Sequence, residues 1–313
     1  MEYGAHLPLI DFSGKGFSLA DLRAYAQRAS ELGYKFLCAN DHFLFSKPWL
    51  DGPTALAAVV EASGSMTLAT TVCIPVVRGP IATAKTLGAI DLLSGGRLII
   101  GVGPGSSERD YIAVGVAFEE RWRRFEEVIP TLRSLLSPNS GDFSGTFYST
   151  QDISLEPKPA QQSGPQLWVA SWGSKAGLRR VARQGDGWLA SGYNTTPQGF
   201  ADSLSYLSEQ LAERGKAPEY FPNGIVTMWL YITEDQAAAD RILSTVLSPA
   251  INRPVDELRE RLPIGHPEIC AERLAAYAKA GVQSIFVWPL EDELEQLQLF
   301  AERVMPLIHA HSN

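Results

Sequence analysis

Residues 166–190 read QLWVASWGSKAGLRRVARQGDGWLA. Leu167 to Ala170 is a short β-rich run, and the turn Ser171-Trp172-Gly173-Ser174 leads straight into a helical pattern over 175–183. Gly185 falls near the helix end, where glycine supplies a left-handed cap, and Gly187 to Ala190 is a second β-rich run. Strands joined through a helix lie parallel, because the crossover returns the chain to the end of the sheet where the first strand began.

The same alternation extends in both directions. Strands are expected at 7–12, 36–39, 67–72, 98–102, 167–170, 187–190, 225–232 and 284–288. Helical patterns fill the intervals, with apolar residues at helical spacing such as Leu22, Tyr25, Ala26 and Ala29. Eight strand–helix units in 313 residues match a single (β/α)8 barrel, an α/β TIM barrel spanning 1–313, and disfavour an open doubly wound sheet. Two stretches exceed ordinary loops. One, 137–166, follows the fourth helix; the other, from Ser248 to His266, splits the seventh unit and reads as a cover over the barrel.

Composition narrows the function. The chain is 45% hydrophobic and 20% charged, which excludes a disordered polymer. With 27 Lys and Arg against 35 Asp and Glu the formal charge is −8, and no basic run tracks phosphates, so no nucleic-acid partner is expected. Cys38, Cys73 and Cys270 are dispersed without a CxxC pair, which suits a reducing compartment. The opening MEYGAHLPLIDF lacks the regions of a signal peptide, and no apolar run is long enough to span a membrane. A cytoplasmic protein without a membrane partner is expected.

Barrel active sites lie at the C-terminal ends of the strands. That rule gathers Asn40-Asp41-His42-Phe43, Pro75, Gly103-Pro104-Gly105-Ser106-Ser107-Glu108, Ser171 to Ser174, Ser191 to Asn194 and Trp288-Pro289 around one mouth. His42 is the foremost candidate for chemistry, since imidazole exchanges protons near neutral pH. Asp41 stands beside it, either as part of the site or to hold the loop, and a satisfied loop histidine is the competing account of His42. His6 is placed at the opposite end of the barrel, His266 in the insertion, and His309 and His311 in the tail; no pair has metal-ligand spacing, so no metal site is expected.

Gly101, Gly103 and Gly105 are spaced wrongly for a dinucleotide fingerprint; they either let a flat ligand approach the backbone or make a tight turn. Ser174 caps the helix from 175, whose free N–H groups also favour an anion such as phosphate. Trp172, Trp288, Tyr193 and Phe43 offer apolar walls or ordinary core. Asp91 and Arg97 flank the turn at the bottom of the barrel and read as structural. Glu108 and Asp110 read as a solvated loop before an acid/base pair, and 118–127 reads as a charged helical face.

Taken together, Ala39-Asn-Asp-His-Phe, Leu93-Ser-Gly-Gly-Arg-Leu-Ile-Ile-Gly-Val-Gly-Pro-Gly, Phe118-Glu-Glu-Arg and the run from Pro165 to Leu189 resemble the luciferase-like flavin oxidoreductases, in family order over most of the chain. The resemblance implies a barrel, usually a homodimer, that binds reduced FMN or the deazaflavin F420 at its mouth. It places His42 at the reactive face of the ring system. It makes Thr71-Val72-Cys73-Ile74 a bulge with a non-proline cis peptide behind that ring. Gly103, Gly105 and Ser106, with Ala170, Ser171, Trp172, Gly173 and Ser174, would then line the ribityl chain and phosphate. Ser106 stands where several sugar-phosphate dehydrogenases of the F420 branch carry a glutamate acid, and Gly103-Pro104 where the luciferase proper has a cysteine–arginine pair. Neither specialised chemistry carries over.

The expected activity is therefore oxidation, oxygenation or reduction of a small organic substrate, with a separate flavin or F420 reductase as a partner. The competing class is a flavin-binding barrel that has lost its redox chemistry. A hydrolase would need a metal cluster or an activated nucleophile, and the sequence assembles neither.

Overall fold

Among the described residues, nine parallel strands make up the sheet: β1 (Glu2–His6), β2 (Phe36–Ala39), β3 (Thr67–Cys73), β4 (Leu98–Val102), β5 (Leu167–Ala170), β6 (Gly187–Ser191), β7 (Asn223–Ile232), β8 (Ile264–Gly265) and β9 (Ser284–Pro289). β1 pairs with β2 and β9, β9 with β7, and β7 with β6, so the sheet closes into the expected barrel and leaves no edge along its staves. β8 is an addition outside the ring, a short pairing to Tyr231 and Ile232 at the C-terminal end of β7. The computed structural model describes residues 1–312, with side chains through Ile308; the side chains of His309 and His311 lie outside the described residues.

Local chemistry explains most of the elements. Ser18, Ser174 and Thr196 each accept a backbone N–H in the first turn of the helix they precede. Leu22, Tyr25, Ala26 and Ala29 form the buried stripe of the helix Leu19–Glu31. Inside the barrel, Phe36, Cys38, Ala69, Trp168, Leu189, Val226 and Phe286 pack as one cluster. Glycines make room for the large rings: a Cβ on Gly4 would lie 2.5 Å from Phe286, and one on Gly187 would lie 2.7 Å from Trp168. Burying each of these rings contributes about 1.5–3 kcal/mol.

One strand lies elsewhere than the sequence pattern places it. β1 is Glu2–His6, not 7–12. The run Leu7-Pro8-Leu9-Ile10 is apolar because Leu7, Leu9 and Ile10 are buried, but it lies outside the barrel ladder, with Ile10 in an isolated antiparallel bridge to Trp49. Pro8 has no N–H for a ladder, and Leu9 N–H turns back to the Leu7 carbonyl at 2.9 Å. His6 consequently sits at the C-terminal, mouth end of its strand.

The insertions differ in role. Segment 137–166 is tied underneath the barrel, where Gln161 donates to Asp91 Oδ1 at 2.7 Å and to the Leu98 carbonyl at 2.8 Å. Arg97 donates there to Ser63 Oγ at 3.1 Å and the Val60 carbonyl at 3.2 Å, so the Asp91–Arg97 region is structural. The segment from Ser248 forms two short helices, Ser248–Ile251 and Val255–Arg261, hinged at Asn252 with φ of 51°. The preceding helix is not continuous: an α-helix, Gln236–Arg241, widens into a π-helical stretch, Ile242–Leu247. Among the described residues no helix is long and apolar enough to cross a membrane.

Candidate active site

At the mouth, a cavity of about 660 Å³ is lined by residues from the ends of β2 to β7. Its β2 wall is the segment Asn40-Asp41-His42. Asn40 Oδ1 accepts the Val72 N–H at 3.1 Å, which ties the β2 end to the β3 end. Asp41 is 2% exposed and accepts Arg78 Nε and Nη2, each at 2.6 Å, and the Ile74 N–H at 3.2 Å. Burial works against the Arg78 charge, yet the hydrogen bonds and charge of Asp41, joined by Asp51, hold that guanidinium above its ordinary range. Asp41 thus anchors the turn after β3.

His42 is turned away from Asp41. Its Nδ1 lies 2.9 Å from Asp110 Oδ2, and Asp110 Oδ1 accepts the Leu44 N–H at 2.8 Å. A carboxylate accepts, so Nδ1 carries the proton and Nε2 is the nitrogen left to exchange one. Trp49 and Phe45 pack beside the imidazole at centroid separations of 4.8 and 5.7 Å. Asp110 lies in the helix Glu108–Ala113, capped by Ser107, and is only 2% exposed; Glu108 is exposed. The expectation of a solvated loop therefore fails for Asp110. Ser107-x-x-Asp110 has the spacing of a helix start, and Ser107 Oγ accepts the Asp110 N–H at 3.3 Å, but that local signal does not show that the Asp110 carboxylate turns to His42.

Thr71 and Val72 line the cavity behind His42, and the peptide between them is cis where the β3–β4 register shifts. Cys73 points away from it and donates to Asp41 Oδ2 at 3.4 Å. Burial, reinforced by the Asp41 charge, pushes the Cys73 thiol well up, and burial pushes Cys38 up to about 12. Neither is a thiolate nucleophile near neutral pH.

Gly103, Pro104, Gly105 and Ser106 form the β4 wall. A Cβ on Gly103 would come 2.8 Å from Val72 Cγ2, so the bare backbone there widens the cavity. At the β5 end, Ala170, Ser171, Trp172 and Ser174 line it, and Gly173 completes the turn at φ of 94°. Gly177, also lining, keeps the cradle open: its Cβ would stand 2.3 Å from Ser171 Oγ and 3.0 Å from Ser174 Oγ. Two hydroxyls, a bare backbone and the N-terminus of the helix Lys175–Gln184 suit a phosphate. The residues present thus fit the ribityl and phosphate portions of a flavin or deazaflavin.

Phe118, Arg121 and Trp122 close the β4 side, so the charged stretch expected to face solvent instead faces the cavity in part. Ser191, Tyr193 and Thr227 line the β6–β7 side, with Ser191 Oγ 3.1 Å from Thr227 Oγ1. Thr227 has φ of 53°, a strained conformation for a β-branched residue, at the shift in the β7–β9 register. Ile251, Asn252 and Arg253 reach in from the insertion. Of the aromatic walls expected, Trp172 and Tyr193 line the cavity. Trp288 instead stacks between His6 and Trp229 at 3.4 and 4.0 Å, and Phe43 lies under Arg78. His6, near the mouth after all, is fully buried, and burial lowers it to about 3, so it is neutral. Its Nδ1 hydrogen-bonds the Leu7 carbonyl at 2.7 Å, and it does not line the cavity.

A closed parallel barrel with a histidine–carboxylate pair over a cofactor-sized cavity defines the general class. The particular family follows from comparison: the model described as "Luciferase-like monooxygenase" matches residues 5–257, and the chain belongs to that family. An F420-dependent glucose-6-phosphate dehydrogenase of Kribbella flavida is 28% identical, covering 95% of this chain and 96% of its own. An FMNH2-dependent dimethylsulfone monooxygenase of Pseudomonas putida is 26% identical over 73% of this chain and 70% of its own. The structure of an F420-dependent secondary alcohol dehydrogenase with an F420–acetone adduct superposes with a TM-score of 0.85 at 18% identity, covering 98% of each chain; that likeness shows the fold.

Proposed function

We propose that this protein is an oxidoreductase that seats F420 across the β3–β5 side of the mouth and exchanges a hydride with a small organic substrate, with His42 handling the proton. The observation that carries this reading is the His42–Asp110 pair, which leaves Nε2 of a ring fixed by a buried carboxylate to serve the cavity. F420 supplies or accepts a hydride when bound, whereas reduced FMN supplies the electrons with which dioxygen is activated. Nε2 takes the hydroxyl proton when an alcohol is oxidised and returns it in the reverse direction. Ser171 and Ser174, with the helix N-terminus behind them, hold the cofactor phosphate, and Gly103 and Gly105 let the ring approach the backbone. The choice of F420 over FMN is supported by relatives aligned over nearly the full chain. Reduced FMN is the second reading, favoured by the dimethylsulfone monooxygenase alignment; it would bring in a separate flavin reductase. We place the protein in the cytoplasm as a homodimer, with the partly exposed Trp122 face among the surfaces available for pairing.

The test is a parallel titration of the apoprotein with oxidised and reduced F420 and FMN, followed by fluorescence and ultrafiltration. Micromolar binding of F420 with weaker FMN supports hydride transfer. Preference for reduced FMN replaces it with the oxygenase reading. Binding of neither removes the cofactor assignment.

A further inference from the structure

Among the described residues, the acidic and basic side chains that line the cavity are Asp41, His42, Arg121 and Arg253. Asp41 is occupied by Arg78 and His42 by Asp110. On the segments around Arg253, Arg241, Arg259 and Arg261 are paired with Glu291, Asp240 and Glu257. Among the described residues, neither Arg121 nor Arg253 forms an ion pair with a carboxylate. Both therefore offer the cavity a guanidinium without a carboxylate partner, within a chain of formal charge −8.

The two arginines stand on different walls. Arg121 opens the helix Arg121–Leu136, and its neighbour Trp122 packs under Arg180 of the helix that starts at the phosphate cradle, 4.8 Å from the ring centroid. Arg253 enters from the insertion, over the β6 end. Its backbone is held on both sides: its N–H donates to the Ser248 carbonyl at 3.3 Å, and its carbonyl accepts Ser248 Oγ at 2.7 Å. Its guanidinium donates to Asn194 Oδ1 at 3.2 Å, and Asn194 is itself fixed by donating to Ser191 Oγ at 3.0 Å. A further donation reaches the Asn252 carbonyl at 3.3 Å. These acceptors are neutral, so they aim the fork without cancelling its charge, and a guanidinium has five N–H donors to offer.

We infer that Arg253 reads an anionic group, a carboxylate or a phosphate, on the substrate itself. The inference rests on the proposed oxidoreductase reading in one respect: the cofactor takes the β3–β5 side, leaving the Arg253 wall for substrate. A planar fork matches both anions in a two-pronged fashion, and a half-buried wall strengthens the attraction relative to open water.

The test titrates benzoate, phenyl phosphate and neutral benzamide calorimetrically into wild-type, Arg253→Gln and Arg253→Lys protein saturated with whichever cofactor binds. Cofactor affinity is measured separately for each variant. At least one anion is expected to bind about tenfold or more tightly than benzamide, Arg253→Gln to lose most of that preference and Arg253→Lys to retain part of it. The better of the two anions then tells carboxylate from phosphate. The inference is overturned by failure of both anions to bind, by benzamide binding as well as they do, or by an unchanged preference in Arg253→Gln. A loss of cofactor affinity in that variant equal to its loss of anion affinity also overturns it, since Arg253 would then serve the cofactor. If neither cofactor binds wild-type protein, the oxidoreductase reading fails by its own measurement, and the same titrations on apoprotein still decide whether Arg253 holds an anion.

Discussion

The imidazole of His42 at the end of β2 lies 2.9 Å from the carboxylate of Asp110, 68 residues further along the chain. They meet because β2, β3 and β4 are successive neighbours in the barrel and open onto one mouth. Asp110 also accepts the Leu44 N–H, so one buried carboxylate sets both the ring and the loop that carries it.

Replacing His42 by Ala is expected to leave fold and cofactor affinity intact and to lower turnover by at least about tenfold, the scale of a general acid–base group. Asp110→Asn, which keeps the shape but loses the charge, is expected to lower kcat by about tenfold with little change in cofactor affinity. Steady-state kinetics beside cofactor titration checks both, and unchanged turnover in His42→Ala would remove that residue from the chemistry.

Gly177→Ala tests the cradle directly. The added methyl crowds the Ser171 and Ser174 hydroxyls, which accept the Gly173 and Gly177 N–H groups, so the helix cap is disturbed and stability should fall by about 1 kcal/mol. Cofactor affinity should fall by roughly tenfold, about the worth of one charge-assisted hydrogen bond. Equal affinity in fluorescence titration would place the phosphate elsewhere.

Arg78→Ala leaves Asp41 buried without its guanidinium; the two side chains are 17% and 1% exposed. Breaking such a pair costs about 3–5 kcal/mol. Urea unfolding should show that loss as a lower midpoint, and a change under about 1 kcal/mol would mean that the pair is not what anchors the turn.

His6 gives the fold a defined acid sensitivity. Burial lowers it in the folded protein from 6.5 to about 3, so the unfolded chain takes up the proton first as pH falls. Its stabilising neutrality is fully present above pH 6.5 and is lost progressively toward pH 3. The slope is about 1.4 kcal/mol per pH unit, which amounts to about 2 kcal/mol by pH 5. Urea unfolding at pH 7.5 and 5 should show this difference, and His6→Phe should flatten it; the same slope in that variant would assign the sensitivity to other groups.

Much of the barrel was legible because its signals are local. Ser174 caps its helix through a hydrogen bond within three residues, and the buried stripe Leu22, Tyr25, Ala26 and Ala29 reports its face by spacing alone. The same local reading misplaced β1, because apolar spacing at Leu7, Leu9 and Ile10 records burial, while the pairing made there is an isolated antiparallel bridge from Ile10 to Trp49 and not a stave of the barrel. His42 and the glycine-rich turns stood out for the same reason as the barrel itself: strand ends identify the mouth.

By itself the sequence determined the alternation of strands and helices, hence a closed parallel sheet, and the set of loops that surround its mouth. Only the tertiary structure decided which side chains pair across those loops. Asp41 goes to Arg78 and not to its neighbour His42, Asp110 is buried beside His42, and Arg253 is left without a carboxylate. Periodicity and capping are properties of a few consecutive residues, whereas an ion pair depends on the distance between atoms that only closure of the barrel brings together.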